Sequence, residues 1–202
     1  MRALEERSRD PAMGFKLAAV LADQPDAAGL AIARDLGVPA QVVAAEPSMT
    51  RGRYDEQLVA VIEPYAPSLI VLAGFMRILS REFVAHYEGR ILNIHPSLLP
   101  KYPGLHTHRR ALEGRETEHG ATVHFVTAEL DAGPAVIQGR VRVEPEDDAH
   151  SLAARVQVLE HRIYPMAVRW YCAGRLRYAE GHAWLDGEKL AGPIFYSGAE
   201  DR

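Results

Sequence analysis

The chain has 202 residues, of which 48% are hydrophobic and 25% are charged, and its formal net charge is −4. This composition is typical of a globular protein and excludes the collagen, coiled-coil and disordered classes. One domain is expected at this length, burying roughly 70% of the surface of the unfolded chain. Cys172 is the only cysteine, which excludes a disulfide framework and favours a reducing compartment, so we predict a cytoplasmic protein.

The first half of the chain alternates short apolar runs with helical patterns. The longest apolar run, residues 69–76, is far shorter than the roughly 20 residues of a membrane helix, and the charged start has no signal-peptide core. The predicted elements are the end of a helix over residues 1–12, strands over 17–22, 42–43, 69–72 and 91–94, and helices over 26–36, 54–65 and 80–87. This alternation predicts an α/β fold with a doubly wound, mostly parallel sheet and no membrane association.

Beyond residue 95 the pattern changes to a long loop. Pro96, Pro100, Pro103 and Gly104 exclude regular structure there. The loop leaves the carboxyl end of a strand, which is where open α/β sheets bind ligands. The elements predicted after it are a short helix over residues 108–112, strands over 121–127 and 135–143, a long helix from a cap at 148 to 174, and a hairpin over 176–190.

Basic residues are concentrated between Arg77 and Arg115, where seven stand against three acidic residues. This excess favours anionic ligands, although solvated helix faces explain the same pattern. Aromatic residues do not alternate with the charges as on a surface that stacks nucleic-acid bases, so nucleic acid is disfavoured as a partner.

Histidines are concentrated in the same region. The five within thirty residues are His95, His106, His108, His119 and His124. A metal site is one interpretation, but the region has no His-Glu-x-x-His helix and no carboxylate or thiolate at ligand spacing, so we expect no metal. His124 alternates with apolar residues in a predicted strand and is expected to be a structural residue of the sheet.

Three polar residues form a candidate catalytic group. Asn93 and His95 lie two apart at the end of a strand, so they share one face, and the sharp turn at Asp131 can bring a carboxylate to them. An amide can donate to an oxyanion, an imidazole titrates near neutral pH, and a carboxylate can orient the imidazole or move a proton. Since all three types are common in loops, a structural role remains open on these grounds alone.

The sequence around these residues resembles a known family. Residues 93–108 read Asn-Ile-His-Pro-Ser-Leu-Leu-Pro-Lys-Tyr-Pro-Gly-Leu-His-Thr-His, which resembles the signature of the folate-dependent formyltransferases. The ending Pro-Gly-Leu-His-Thr-His is similar to that of the phosphoribosylglycinamide formyltransferases. The resemblance continues in residues 72–79, 119–134 and 157–165 and covers nearly the whole chain.

The resemblance implies a reaction and a role for each residue of the candidate group. The formyl donor is 10-formyltetrahydrofolate, a co-substrate, and the acceptor is the amine of glycinamide ribonucleotide in purine biosynthesis. Asn93 is expected to donate to the formyl oxygen, and a protonated His95 to stabilise the same oxyanion. Asp131 is expected to hold His95 in that state and to relay the proton. A metal is not required.

The resemblance also implies the binding residues and the domain organisation. We expect one formyltransferase domain over residues 1–202, with a ribonucleotide-binding half (1–90) and a catalytic, folate-binding half (91–202), acting as a monomer or weak homodimer. The expected folate contacts are Arg51, Met76, Arg77, Ile78, Leu79, Asn93, Glu129, Leu130, Asp131, Ala132 and Gly133, and the expected ribonucleotide contacts are Gln157 and Glu160. A solvated loop arginine remains the alternative for Arg51, and a structural pairing for Glu160.

The beginning of the chain departs from the family pattern. Members open with an apolar strand and a Gly-rich loop ending in Gly-Ser-Asn, whereas Met1-Arg2-Ala3-Leu4 resembles the first turn of the helix that follows. That loop would cradle a phosphate at a helix N-terminus. Our hypothesis is that Met1 is an internal methionine and that the strand missing from the sheet leaves a gap. An impaired or inactive fragment that keeps only folate binding is the alternative function.

Overall fold

The computed structural model describes residues 2–198. The helices are α1 (Arg2–Arg7), α2 (Ala28–Asp35), α3 (Arg51–Ile62), α4 (Arg81–His86), α5 (Thr107–Glu113) and α6 (Ala149–Cys172). The strands are β1 (Val20–Ala22), β2 (Ala40–Val42), β3 (Ile70–Leu72), β4 (Ile91–His95), β5 (Glu118–Phe125), β6 (Ala135–Arg142), β7 (Leu176–Ala179), β8 (His182–Leu185), β9 (Glu188–Lys189) and β10 (Ile194–Phe195). The α/β class is therefore confirmed.

The central strands form two sheets, of which only the larger has strands of mixed direction. β1 and β2 form a parallel pair, and a second sheet has the order β10-β6-β5-β4-β3. Its β3–β4 and β6–β10 pairs are parallel, whereas β4–β5 and β5–β6 are antiparallel. Most pairs of the central strands are thus parallel, as predicted, and the exceptions are the two pairs that involve β5. Only residues 126–134 join β5 to β6, which is too short for the crossover that parallel neighbours require.

Residues 176–190 form three antiparallel strands, β7-β8-β9, where the sequence predicted one hairpin. The expected turn at Asp186-Gly187 joins β8 to β9, and a second turn at Glu180-Gly181 joins β7 to β8. All four turn residues have φ between 53° and 85°. Two consecutive residues with positive φ are typical of tight hairpin turns. The prediction missed the first turn because glutamate is uncommon in that conformation.

Side chains cap the amino-terminal ends of α4 and α6, the second at the predicted Asp148. The Ser80 Oγ accepts a hydrogen bond from the Phe83 N–H at the start of α4. Asp148 accepts from the N–H groups of His150 and Ser151 at the start of α6. These bonds satisfy amide groups that have no partner inside the helix. No helix within residues 2–198 is long and apolar enough to cross a bilayer.

Helices cover both faces of the sheets. Alternate residues of β3 face opposite ways, because Val71 packs in the core cluster that contains α6 whereas Ile70 and Leu72 pack in the cluster formed by α3 and α4. On the first side, α1 contacts both α6 and α2. The protein therefore has three layers, with α3 and α4 on the second side.

The two sheets are separated by a cavity of about 540 Å³. β1 and β3 both line the cavity and are not hydrogen-bonded to each other. Val20, Leu30 and Ala33 form a small core cluster of their own around β1 and α2. The amino-terminal part of the core is therefore divided, whereas the strands β4, β5 and β6 are paired along their length.

Candidate active site

Asn93 and His95 lie on β4, where the sequence predicted them. In the antiparallel register Asn93 stands opposite His124 of β5, and His95 stands opposite Thr122. Their spacing of two puts both side chains on the same face of the sheet. β4 has a strand on each side; Asn93 is paired with both β3 and β5, whereas His95 is paired with β5 alone.

The structure brings Asp131 to His95, as expected. An Asp131 carboxylate oxygen (Oδ2) lies 3.5 Å from His95 Nδ1, and both side chains are largely buried. The Gly104 N–H donates to the same carboxylate oxygen over 2.8 Å. On the other side of the ring, His95 Nε2 donates to the Tyr102 carbonyl oxygen over 2.9 Å. Both ring nitrogens therefore have partners, and the carboxylate lies where it can pair with an imidazolium.

His124 is a partner of Asn93 that the sequence analysis did not identify. The expected strand placement is confirmed, but the His124 Nε2 also lies 3.2 Å from the Asn93 amide nitrogen. Its Nδ1–H donates to the Phe125 carbonyl, and burial lowers the pKa of the ring, so a neutral His124 accepts one amide hydrogen of Asn93. The other amide hydrogen has no partner within this network. Only the β4–β5 register could have revealed this contact.

His108 and His119 form a separate pair. The His119 Nε2 lies 3.1 Å from His108 Nδ1. Burial lowers the pKa of both rings, with that of His119 brought to about 4 by burial and by repulsion from His108. Neutral rings at this distance form one hydrogen bond. Across residues 2–198 no three His, Cys, Asp or Glu side chains converge as metal ligands would.

Buried polar residues of β5 and β6 anchor the loop after β4. The Thr122 hydroxyl donates to the Ser97 carbonyl oxygen over 2.6 Å and accepts from the Leu99 N–H. The Gln138 amide donates to the Leu99 carbonyl oxygen over 2.8 Å. Because the loop also supplies the Tyr102 carbonyl and the Gly104 N–H to the site, Thr122 and Gln138 help to position His95 and Asp131.

The expected folate residues lie in two segments that carry exposed apolar side chains. Met76, Ile78 and Leu130 are 76%, 50% and 53% exposed, values that favour a ligand surface for side chains of this size. Leu79, by contrast, is buried in the core, so only its backbone is available to a ligand. Gly133 has no room for a side chain, because a Cβ there would lie 1.8 Å from the Phe125 carbonyl oxygen.

The remaining residues predicted in the folate pocket are mostly exposed. Arg51 is the first residue of α3, and Tyr54 lies one turn after it in the same helix. The Arg77 guanidinium lies 4.5 Å from the centre of the Tyr54 ring. Glu129 and Ala132 are exposed in the loop after β5. Their contacts with folate remain predictions.

The expected ribonucleotide residues lie on α6. Tyr164, one turn after Glu160, places its hydroxyl 2.6 Å from the Leu72 carbonyl oxygen and 2.9 Å from that of Leu92. Leu72 ends β3 and Leu92 precedes Asn93 in β4, so this part of α6 packs against the strand that carries Asn93. Burial raises the pKa of Glu160. Gln157 is exposed one turn earlier.

Several residues of the basic stretch have partners within the protein. Lys101 pairs with Glu116 at 2.8 Å, and Arg109 lies 3.7 Å from Glu113. The Arg110 guanidinium donates to the Pro103 carbonyl oxygen over 2.6 Å. These contacts give the basic stretch a structural use beside the anionic ligands that the sequence predicted.

Comparison with known sequences assigns the family. The sequence profile of the formyl transferase family matches residues 1–168. The chain is 54% identical to the phosphoribosylglycinamide formyltransferase of Escherichia coli (strain K12) over 172 residues, which are 85% of this chain and 81% of that protein. It is 42% identical to the Haemophilus influenzae protein of the same name over 175 residues, 87% of this chain and 82% of the relative.

Comparison with solved structures indicates the same family. The fold matches phosphoribosylglycinamide formyltransferase from Coxiella burnetii with a TM-score of 0.90 and 44% identity, over 96% of this chain and 93% of the other. It matches glycinamide ribonucleotide transformylase 1 from Symbiobacterium toebii with a TM-score of 0.87 and 38% identity, over 91% and 87% of the two chains. The chain therefore belongs to the formyl transferase family, and within it to the phosphoribosylglycinamide formyltransferases.

Proposed function

We propose that this protein transfers the formyl group of 10-formyltetrahydrofolate to the amine of glycinamide ribonucleotide, a step of purine biosynthesis in the cytoplasm. The observation that carries the proposal is the meeting of Asn93, His95 and Asp131 at the carboxyl end of β4. These are the positions of the catalytic residues in the family signature. The folate is a substrate consumed in each turnover, and the reaction as proposed needs no metal.

Asn93 is the donor for the formyl oxygen. One hydrogen of its amide is held by His124, which leaves the other to donate as negative charge develops on that oxygen. A donor fixed before the reaction needs no reorganisation in the transition state. Asn93 is also the only asparagine of the chain.

His95 and Asp131 supply charge and move the proton. Since both nitrogens of His95 are engaged, the ring acts as a fixed positive charge when it is protonated beside Asp131. The amine forms a bond to the formyl carbon, and the bond from that carbon to the folate nitrogen breaks. Asp131 accepts the proton that the amine loses and passes it to the leaving nitrogen, so the carboxylate is unchanged after each cycle.

The two substrates approach this group from different segments. The exposed apolar side chains of Met76, Ile78 and Leu130 suit the flat ring of the folate, and the backbone of residues 129–133 can pair with its polar edge. Glu160 and Gln157 face the ribonucleotide from α6. We propose that the protein works as a monomer or a weak homodimer.

Turnover of the purified chain with both substrates tests this function. We expect the wild-type protein to form the formylated ribonucleotide and Asn93→Ala to lose about 10²- to 10³-fold in kcat with little change in folate binding. His182→Ala, an exposed histidine on β8, is the control and should keep full activity. A wild-type chain that binds folate without turnover would favour the impaired fragment, and full activity of Asn93→Ala would refute the site.

A further inference from the structure

The backbone of Tyr102 holds the His95 ring from the side opposite Asp131. His95 Nε2 donates to the Tyr102 carbonyl oxygen over 2.9 Å, and His95 Nδ1 faces the Asp131 carboxylate. In an imidazolium both nitrogens carry hydrogens, so the ring can donate to both acceptors at once. The position of the Tyr102 carbonyl therefore limits how the ring can turn in the site.

Tyr102 presents this carbonyl from an uncommon backbone conformation. Its φ is 56°, in the left-handed region, which costs free energy for a residue with a bulky side chain and persists where other contacts hold it. The polar side chains of β5 and β6 hold the loop earlier, at Ser97 and Leu99. The later part of the loop, which faces His95, therefore needs a support of its own.

The Tyr102 side chain supplies that support through a bond to Glu116. The phenol donates to Glu116 Oε1 over 2.8 Å, and the Lys101 ammonium donates to both oxygens of the same carboxylate. The bonds from Lys101 and Tyr102 lower the pKa of Glu116, and the bond to Glu116 raises the pKa of Tyr102. A neutral phenol therefore donates to a charged carboxylate, which gives a stronger bond than two neutral groups form.

Glu116 is itself fixed to the end of α5. Its N–H donates to the Ala111 carbonyl oxygen over 3.0 Å, and Ala111 is fully buried. A Cβ at Gly114 would lie 2.4 Å from the Tyr102 hydroxyl oxygen, so this glycine leaves space for the phenol beside the helix. The contacts therefore run from α5 through Glu116 and the Tyr102 phenol to the backbone that holds His95.

We propose that Tyr102 and Glu116 are positioning residues for the formyl transfer. The bond between the phenol and the carboxylate fixes the backbone of residue 102, and through its carbonyl it fixes the orientation of the His95 ring. Both side chains act through His95 and not on the substrates. The inference rests on the proposed function, because the orientation of this ring affects the rate only if the ring stabilises the oxyanion.

Steady-state kinetics of four variants test the proposal. Tyr102→Phe removes the hydroxyl alone, and we expect kcat to fall about tenfold while the KM of each substrate changes by less than about twofold. Glu116→Ala should have the same effect. The double variant should lose no more than either single variant, because all three break the same bond. Glu116→Gln, whose amide oxygen can accept from the phenol, should keep most of the rate.

Tyr87→Phe is the matched control. The Tyr87 phenol also donates to a glutamate, Glu63, over 3.0 Å, but Tyr87 packs in the core cluster formed by α3 and α4. This variant should keep the full kcat, and thermal melts should show that every variant is folded. Wild-type kcat in Tyr102→Phe, additive losses in the double variant, or a raised KM with unchanged kcat would each overturn the proposal.

Nuclear magnetic resonance of protein labelled with 15N-histidine separates this proposal from the proposed function. The Nε2–H signal of His95, identified by its loss in His95→Gln, should exchange slowly with water in the wild type and in Tyr87→Phe. In Tyr102→Phe and Glu116→Ala it should exchange about tenfold faster. If the wild-type chain has no turnover, the proposed function fails, but faster exchange in these two variants still supports the positioning role. Unchanged exchange in both variants overturns that role whatever the turnover.

Discussion

The two halves of the molecule differ in the continuity of their sheet and in the packing around it. Around β4 the sheet is continuous, and the buried polar side chains of Thr122, His124 and Gln138 all have hydrogen-bond partners. Around β1 the sheet is interrupted by a cavity of about 540 Å³, and both carboxylate oxygens of the buried Glu5 have no hydrogen-bond partner among the described residues. The candidate catalytic group therefore lies in the half in which the sheet is continuous.

The largest effect is expected in the continuous half, from Asp131→Asn. The amide keeps the shape of the carboxylate but cannot pair with an imidazolium or carry the proton, so kcat should fall about 10²- to 10³-fold. Steady-state kinetics at several pH values measure this effect. Asp186→Asn, which removes an exposed pair with Arg175, is the control and should remain fully active. Normal turnover of Asp131→Asn between about pH 6 and pH 9 would make Asp131 a structural residue.

A matched pair of leucines compares the packing of the two halves directly. Leu152 and Leu30 are both fully buried, but only Leu30 lines the cavity. Leu152→Ala should lower the free energy of unfolding by about 2–5 kcal/mol, and Leu30→Ala by less, because a side chain beside an open space has fewer contacts to lose. Urea denaturation gives both values. An equal or larger loss for Leu30→Ala would show that the amino-terminal core is as tightly packed as the other.

A smaller effect on rate is expected from His124→Ala. Removing the ring leaves Asn93 in place but free to rotate, so kcat should fall about 10-fold, which corresponds to about 1.4 kcal/mol, while the KM for folate stays the same. His124→Gln, whose amide oxygen can accept from Asn93, should recover part of the loss. A rise in KM with unchanged kcat would contradict a positioning role for His124.

The smallest effect concerns the charge on Glu5. Burial raises the pKa of this carboxyl in the folded state, so its contribution to stability is present below its unfolded pKa of about 4.3 and is lost as pH rises through the folded value. Glu5→Gln should therefore raise the free energy of unfolding by about 1 kcal/mol at pH 8 and leave it unchanged near pH 4. Thermal melts at both pH values test this, with the exposed Glu88→Gln as the control.

The sequence predicted the site better than the arrangement of the sheet. Asn93 and His95 were placed correctly because a strand of five residues fixes their spacing, and Asp131 because Gly133-Pro134 marks the turn two residues later. The role of His124 depends on which residue of β5 stands opposite Asn93, and local patterns do not determine register. The antiparallel direction of β5 was missed for the same reason, since pairing between distant segments is not visible in a helix-and-strand alternation.

The hydroxyl of Tyr164 couples the two halves mechanically. It contacts the carbonyl oxygens of Leu72 in β3 and Leu92 in β4, and Leu92 is the residue immediately before Asn93. Tyr164 is buried, so water cannot readily replace these bonds when they break. A shift of β3 relative to α6 would therefore strain the bond to the Leu72 carbonyl oxygen. Tyr164 therefore ties α6 to both strands, in addition to the hydrogen bonds that pair β3 with β4.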